Sequence, residues 1–412
     1  MKKITLNNHT LLNSFEIIIA ICTIINLNTI WGRNFVGKLT SVVMYFCLAV
    51  LTLLAIYKIM LFHEKKIKIC ILLGGVVLFN ILFILLNGQN IMRFIAKFIF
   101  LLIPFVIYDI YAKKINREKN FLLYFSRIMC ILATISILFY LVGSILNIIS
   151  PSFYVYLKWG NDRYVPSYYN LHFNTQKIYI VGINIIRNSG IFTEAPMFAF
   201  ALSVAIGIQL FIEKTVQKKK LLILLLALFT TFSTTGIVIT SIMLVFKYLI
   251  TKSYNSWKKV LKIVGFPIAT FMAALISFYF IMDKIENTSS ATGSYSIRLD
   301  DFKVGFEAWK NNFFFGHGYE RHDITQTYMS SIRGTDIGGS SGLMMILPQG
   351  GLYLLLIYSI PLIISIQKNL KDKNYNQLIF IAAIVLLFIF TNIPYTYIMI
   401  YLLAVGLSKI ID

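Results

Sequence analysis

The sequence predicts an all-α, polytopic integral membrane protein: one membrane domain over residues 1–412, with about twelve transmembrane helices. Three observations carry that prediction. The 412 residues are 58% hydrophobic and only 13% charged, with a mean hydropathy of +0.76, whereas soluble domains carry roughly 25% charged residues. Apolar runs recur along the whole chain at the length of about 20 residues needed to cross a bilayer core. Lysines gather at alternate ends of those runs, the pattern of the positive-inside rule. The net charge of +21 is therefore read as topology. Scattered between apolar runs, it gives no basis for nucleic-acid binding.

The first run, near 11–30, follows Lys2 and Lys3 and has no small-residue cleavage site, so it reads as an uncleaved first span. Further runs lie near 39–61, 67–87, 92–112, 123–149 and 193–212. The apolar stretch 220–250 is too long for one span, since a helix of that length would extend about 46 Å against a core of about 30 Å. It carries Thr230-Thr231-Phe232-Ser233-Thr234-Thr235-Gly236 at its middle, polar enough for a turn, and splits there into two short spans. The remaining runs lie near 260–282, 342–366, 374–392 and 393–410. Twelve spans leave both termini cytoplasmic and keep the Lys247–Lys262 and Lys368–Lys373 clusters inside, which eleven spans do not. In this arrangement 22 of 29 lysines lie on the inner side. Seven of nine arginines lie on the outer side: Arg33, Arg93, Arg163, Arg187, Arg298, Arg321 and Arg333. Lysine thus sets topology, while arginine, a planar fork of donors, is the residue suited to phosphate or carboxylate.

Two long outer loops carry the remaining chemistry. The loop 151–190 is rich in Tyr and Phe, whose rings with polar edges suit sugars and suit the lipid interface as well. The large outer loop 283–341 contains an amphipathic helix over 296–315. Its Leu299, Phe302, Phe306, Trp309 and Phe313 fall on one helical stripe, which suits lying on the leaflet or roofing a cavity. That helix ends at Gly316-His317-Gly318, read as a flexible turn able to bring His317 to a ligand. The loop holds six basic and eight acidic residues, so an anion site there needs selected arginines, not bulk charge. The few ionisable residues within the spans lie near their ends, which argues against ion-coupled transport. The four cysteines all sit in or at the ends of apolar runs, and no metal or cofactor site is read from the sequence.

The string Arg187-Asn-Ser-Gly-Ile-Phe-Thr-Glu194-Ala-Pro196 resembles the RxSGxFxEP stretch of bacterial O-antigen and capsule polymerases of the Wzy type. The pattern Arg298, Trp309 and Phe315-Gly-His-Gly-Tyr319 resembles the R…W…fGhG stretch of the wider O-antigen ligase/polymerase superfamily. The resemblance implies a multi-pass enzyme of the bacterial cytoplasmic (inner) membrane that joins oligosaccharide repeat units carried on undecaprenyl diphosphate, as both donor and acceptor, at the outer face. Membrane lipid and a chain-length regulator are further implied partners. In that reading Arg187 and Arg298 bind diphosphate, Arg163, Arg321 and Arg333 are second-rank cations, Tyr319 lies at the substrate, and Glu194 or His317 serves as base. Two alternatives stay open: a ligase moving finished chains to a lipid A core, and a lipid-linked oligosaccharide flippase. Ligases of this superfamily tend to carry a histidine where the large loop returns to the membrane. Here that stretch is Gly338-Gly-Ser-Ser-Gly342, which favours the polymerase.

Overall fold

The computed structural model describes residues 2–62, 65–158, 162–180, 183–251, 294–330 and 338–411. Helix α1 (Lys2–Ile25) is followed by a π-helical turn (Trp31–Phe35), α2 (Gly37–Phe62) and α3 (Lys66–Asn87). The next run is broken into α4 (Ile91–Phe98) and α5 (Leu102–Lys114), and α6 (Asn120–Phe139) continues into a second π-helical stretch (Tyr140–Ile145). Each predicted apolar run is helical except 260–282, which lies outside the described residues. Among those residues, five helical stretches are long and apolar enough to cross a membrane, and several shorter apolar helices accompany them.

Residues 151–190 require a correction to the all-α expectation. Strands β1 (Phe153–Leu157), β2 (Arg163–Tyr168) and β3 (His172–Phe173) form a three-stranded antiparallel sheet. Strands β4 (Lys177–Ile180) and β5 (Ile183–Ile186) form a separate hairpin. In the first hairpin Val155, Leu157 and Val165 are buried while Tyr154, Tyr156 and Tyr164 face outward, the period-two alternation of a half-buried sheet. Tyrosine and valine are both strand formers. The outward residues are tyrosines and not charged groups, so the alternation in the sequence sets valine and leucine against tyrosine and is short.

Helix α7 (Ala195–Phe211) is the axis of the fold and is buried along nearly its whole length. An all-round apolar helix belongs in the centre of a bundle, and this one packs against α6, α8 (Lys218–Thr230), α9 (Thr234–Ile250) and the later helix α13 (Tyr375–Phe390). The break foreseen between the short spans falls at Thr231–Ser233, with Phe232 in the left-handed region. The amphipathic helix is α10 (Ser294–Asn311). It buries Asp301, Val304 and Ala308 and leaves Leu299, Phe306 and Phe313 exposed. Most of the stripe therefore points away from the bundle, the orientation of a helix lying at a lipid surface, while Phe302 packs on Phe390 of α13. A short helix α11 (His322–Thr327), the long kinked α12 (Gly342–Lys371), α13 and α14 (Tyr397–Ser408) complete the chain.

At the opposite end of the bundle the buried Glu16 is paired with Arg117 at 2.6 Å and accepts from the Tyr108 hydroxyl at 2.8 Å. Asp109 accepts from Ser408. Buried carboxylates persist when paired and hydrogen-bonded, and these two join α1, α5, the α5–α6 connection and α14.

Candidate active site

The site is assembled at the N-terminal end of the central helix α7. The segment before it reaches back to the connection after α1: Ile30 N–H donates to Ile191 O at 2.8 Å, and Thr193 N–H donates to Asn28 O at 2.9 Å. That pairing sets the π-helical turn carrying Arg33 beside Glu194, which occupies the N-cap of α7 in extended conformation. The positive end of the α7 dipole faces this region, with Ala195 N–H already donating to Gln176 Oε1 at 3.1 Å.

Arg187 and Arg298, distant in sequence, meet at the α8–α9 break. Arg187 Nε donates to Thr231 O at 2.8 Å, and Arg298 Nη1 donates to Thr235 Oγ1 at 2.9 Å. The Thr231 carbonyl is available because carbonyls at a helix C-terminus lack partners within the helix, and Thr235 offers its hydroxyl from the first turn of α9. Burial pushes the Arg187 guanidinium down to about 10, Glu194 acts to raise it, and Arg298 lowers it further. Arg298 is likewise lowered by burial, with Asp301 and Glu194 opposing. Desolvation lowers Arg33, and Glu194 again acts against it. Three guanidinium groups therefore share the field of Glu194. Asp301 helps to fix α10 by accepting from both the N–H and the hydroxyl of Ser340.

The remaining residues of the 187–196 string are structural. Asn188 donates from its backbone to Thr230 O and from its side chain to Thr230 Oγ1, and it accepts from Ser136. Ser189 donates to Phe173 O at 2.7 Å. Gly190 has φ +54°, a conformation that favours glycine, and Phe192 stacks on Phe198. The string holds β5, α6 and α8 together so that its two charged ends, Arg187 and Glu194, face each other's field.

The Gly316-His317-Gly318 segment is not a free turn. Helix α12 kinks at Gly351, whose φ of 57° and ψ of −151° are non-helical, and Pro348 lies just before it. The exposed backbone pairs with the segment after α10. His317 N–H donates to Pro348 O at 2.7 Å, Gly318 N–H to Gln349 O, Leu352 N–H to Phe313 O and Tyr353 N–H to Phe314 O. A Cβ on Gly316 would lie 2.4 Å from Gly350 N, and one on Gly351 would lie 2.5 Å from Phe314 C. The glycines are there for backbone contact. His317 turns inward, its Nε2 donating to Ala308 O at 2.8 Å, because a carbonyl can only accept.

The other sequence candidates lie apart from the cluster. Tyr319 is fully buried against Phe94, Phe98 and Tyr395, and burial raises its hydroxyl pKa. Arg321 is held by Asp323 at 2.6 Å, and Arg163 donates to Thr175 O at 3.1 Å. Arg333 lies outside the described residues. The structure thus brings together Arg187, Arg298 and Glu194 and adds Arg33, which the sequence marks only as one of several outer arginines. Gln349 is a further hub that no motif marked: its side-chain oxygen accepts from Glu320 N–H at 3.0 Å and from the Tyr395 hydroxyl.

The class of protein is then a helical integral membrane protein with an arginine-rich site at one end of its central helix. Residues 221–359 match the family model described as O-antigen ligase, a segment that runs from α8 through the kink of α12 and includes Arg298 and the α8–α9 break. The match supports the O-antigen ligase/polymerase superfamily and a part in glycan assembly. No curated protein matches the chain.

Proposed function

We propose that this protein is a polymerase that joins undecaprenyl-diphosphate-linked oligosaccharide repeat units by glycosyl transfer at the outer face of the bacterial cytoplasmic membrane. One observation carries the reading: Arg187 and Arg298 are both fixed to the α8–α9 break, with Glu194 in their shared field. In the reaction a sugar hydroxyl of one lipid-linked unit attacks the anomeric carbon of another chain. The bond from that carbon to the diphosphate oxygen breaks, and undecaprenyl diphosphate leaves with the electron pair. Preorganised cations where negative charge develops stabilise such a transition state, and guanidinium holds a diphosphate bidentately. Glu194 accepts the hydroxyl proton, the role its position among the arginines allows. His317 is better assigned to the backbone clamp, and Tyr319 to the packing beneath it.

The family description names a ligase, which makes ligation the second reading. The return of the large loop is built from Ser340 and Ser341, which bind Asp301 and the Ile389 carbonyl, and polymerisation needs no histidine there. The test is Arg187→Ala and Arg298→Ala in the producing cell. Each variant should stay in the membrane while long chains disappear and single repeats persist. Accumulation of long chains on undecaprenyl diphosphate would identify a ligase, and full-length product in both variants would remove these arginines from the mechanism.

A further inference from the structure

Beside the arginine cluster lies a cavity of about 420 Å³ lined by Arg33, Asn34, Tyr156 and Lys158, within the ~300–1,000 Å³ range of small-ligand sites. Its walls come from two elements far apart in sequence, the π-helical turn after α1 and the end of β1. Asn34 Nδ2 joins them by donating to Tyr156 O at 2.6 Å. The Tyr156 hydroxyl donates to Asp162 at 2.7 Å, which fixes the direction of the ring. Tyr156 packs on Tyr164 with ring centroids 5.3 Å apart, and Tyr154 lies on the same outward face. The cavity therefore opens onto a row of three exposed tyrosines.

We infer that this cleft binds an acidic sugar residue of the glycan substrate, its carboxylate between Arg33 and Lys158 and its ring against the tyrosine row. The inference rests on the glycan substrate proposed above and adds the charge class of that glycan. A guanidinium and an ammonium facing one cavity select an anion, and the guanidinium fork matches a carboxylate. A bare inorganic anion leaves the tyrosines unused, while a sugar ring uses their apolar faces and polar edges together. Arg33 joins the two sites: it lines the cleft and lies in the field of Glu194, so a chain held in the cleft passes close to the arginine cluster.

The test uses the full-length protein in phosphatidylcholine nanodiscs, with trigalacturonate as probe and maltotriose as neutral control, followed by saturation-transfer NMR or calorimetry. Trigalacturonate should bind at least about tenfold more tightly than maltotriose. Lys158→Gln and Arg33→Gln should each weaken it about fivefold or more, while Arg321→Gln, outside the cleft, should leave it unchanged. Lys158 is exposed, so its variant tests the cleft without threatening the fold. Equal binding of the two sugars, or unchanged affinity in both cleft variants, overturns the inference. Competition by phosphatidylglycerol nanodiscs that depends on Lys158 assigns the cleft to lipid headgroups and also overturns it. Binding requires no turnover, so accumulation of long chains on undecaprenyl diphosphate in Arg187→Ala would replace the polymerase reading by ligation while leaving acidic-sugar binding intact.

Discussion

Arg187→Lys separates charge from geometry at the proposed site. The native side chain does two things at once: Nε donates to the Thr231 carbonyl at 2.8 Å, while the rest of the guanidinium lies in the field shared with Glu194 and Arg298. Lysine keeps the positive charge but has a single ammonium on a flexible stem. If it reaches the Thr231 carbonyl it leaves the diphosphate, and if it reaches the diphosphate it leaves the carbonyl. Either way one charge-assisted hydrogen bond is lost, worth about 1.5–3 kcal/mol. Transition-state arithmetic converts that to roughly a 10- to 150-fold lower rate. The assay is the length distribution and rate of polymer formation on lipid-linked repeats in isolated membranes, at matched protein levels. A fully active Arg187→Lys enzyme, within twofold of the parent, would show that charge alone suffices and would refute the two-handed role assigned to Arg187.

Three further outcomes are expected. Thr235→Val removes the acceptor that orients Arg298 and should slow polymerisation about tenfold or more, with Thr235→Ser restoring the rate; equal loss in both variants would point to the helix start and not to the hydroxyl. Gly351→Ala must hold alanine at φ 57° against Phe314 and disturb the bonds from Leu352 and Tyr353, costing about 2–5 kcal/mol; the buried thiols of Cys22, Cys47 and Cys130 should then react with a fluorogenic maleimide at a temperature several degrees lower. His172 is fully buried beside Ser144 and Asn174, and burial lowers it from 6.5 to about 4, against the Asn174 hydrogen bond. A depressed histidine favours the neutral folded form, so its contribution is intact above pH 6.5 and is lost as pH falls toward 4, by about 3 kcal/mol; hydrogen exchange in β2 and β3 should accelerate across that window and do so less in His172→Phe.

Much of the scaffold was legible because its signals are local. The break in 220–250 followed from an apolar stretch too long for one span with a polar Thr/Ser run at its middle, and the structure ends one helix and starts the next there. The sheets of 151–190 were harder to see, because the alternation in Phe153–Leu157 sets tyrosine against valine and leucine over only five residues, with no charged group on the outward face. The site divides along the same line. Arg187 and Glu194 stand seven residues apart in one string, and their shared field could be guessed. Arg33 joins them only through the backbone pairing of residues 28–30 with 191–193, a contact between ordinary residues that leaves no motif. The Gly316–Gly318 segment misled in the opposite direction. Its glycines signal close backbone approach, and without the kink at Gly351 nothing in the sequence says whether the partner is a ligand or another helix.

The charges at the site favour the anion reading over a merely structural cluster. Arginine brought into a bundle simply to tie helices together is normally matched by its own acid, as Arg117 is by Glu16 across 2.6 Å. The site is built differently. Arg187 Nε and Arg298 Nη1 donate to a carbonyl and a hydroxyl, neutral acceptors that orient a guanidinium without cancelling its charge. Glu194 lies in the field of three arginines, and Arg298 adds repulsion that lowers Arg187 beyond what burial does. Holding like charges in partly desolvated positions costs free energy that a dianionic group would return on binding, and the end of α7 adds its dipole in the same sense. In the proposed reaction the leaving diphosphate gains charge as its bond to sugar breaks, so the same arrangement would bind the product-like state more strongly than the ground state, the requirement for catalysis.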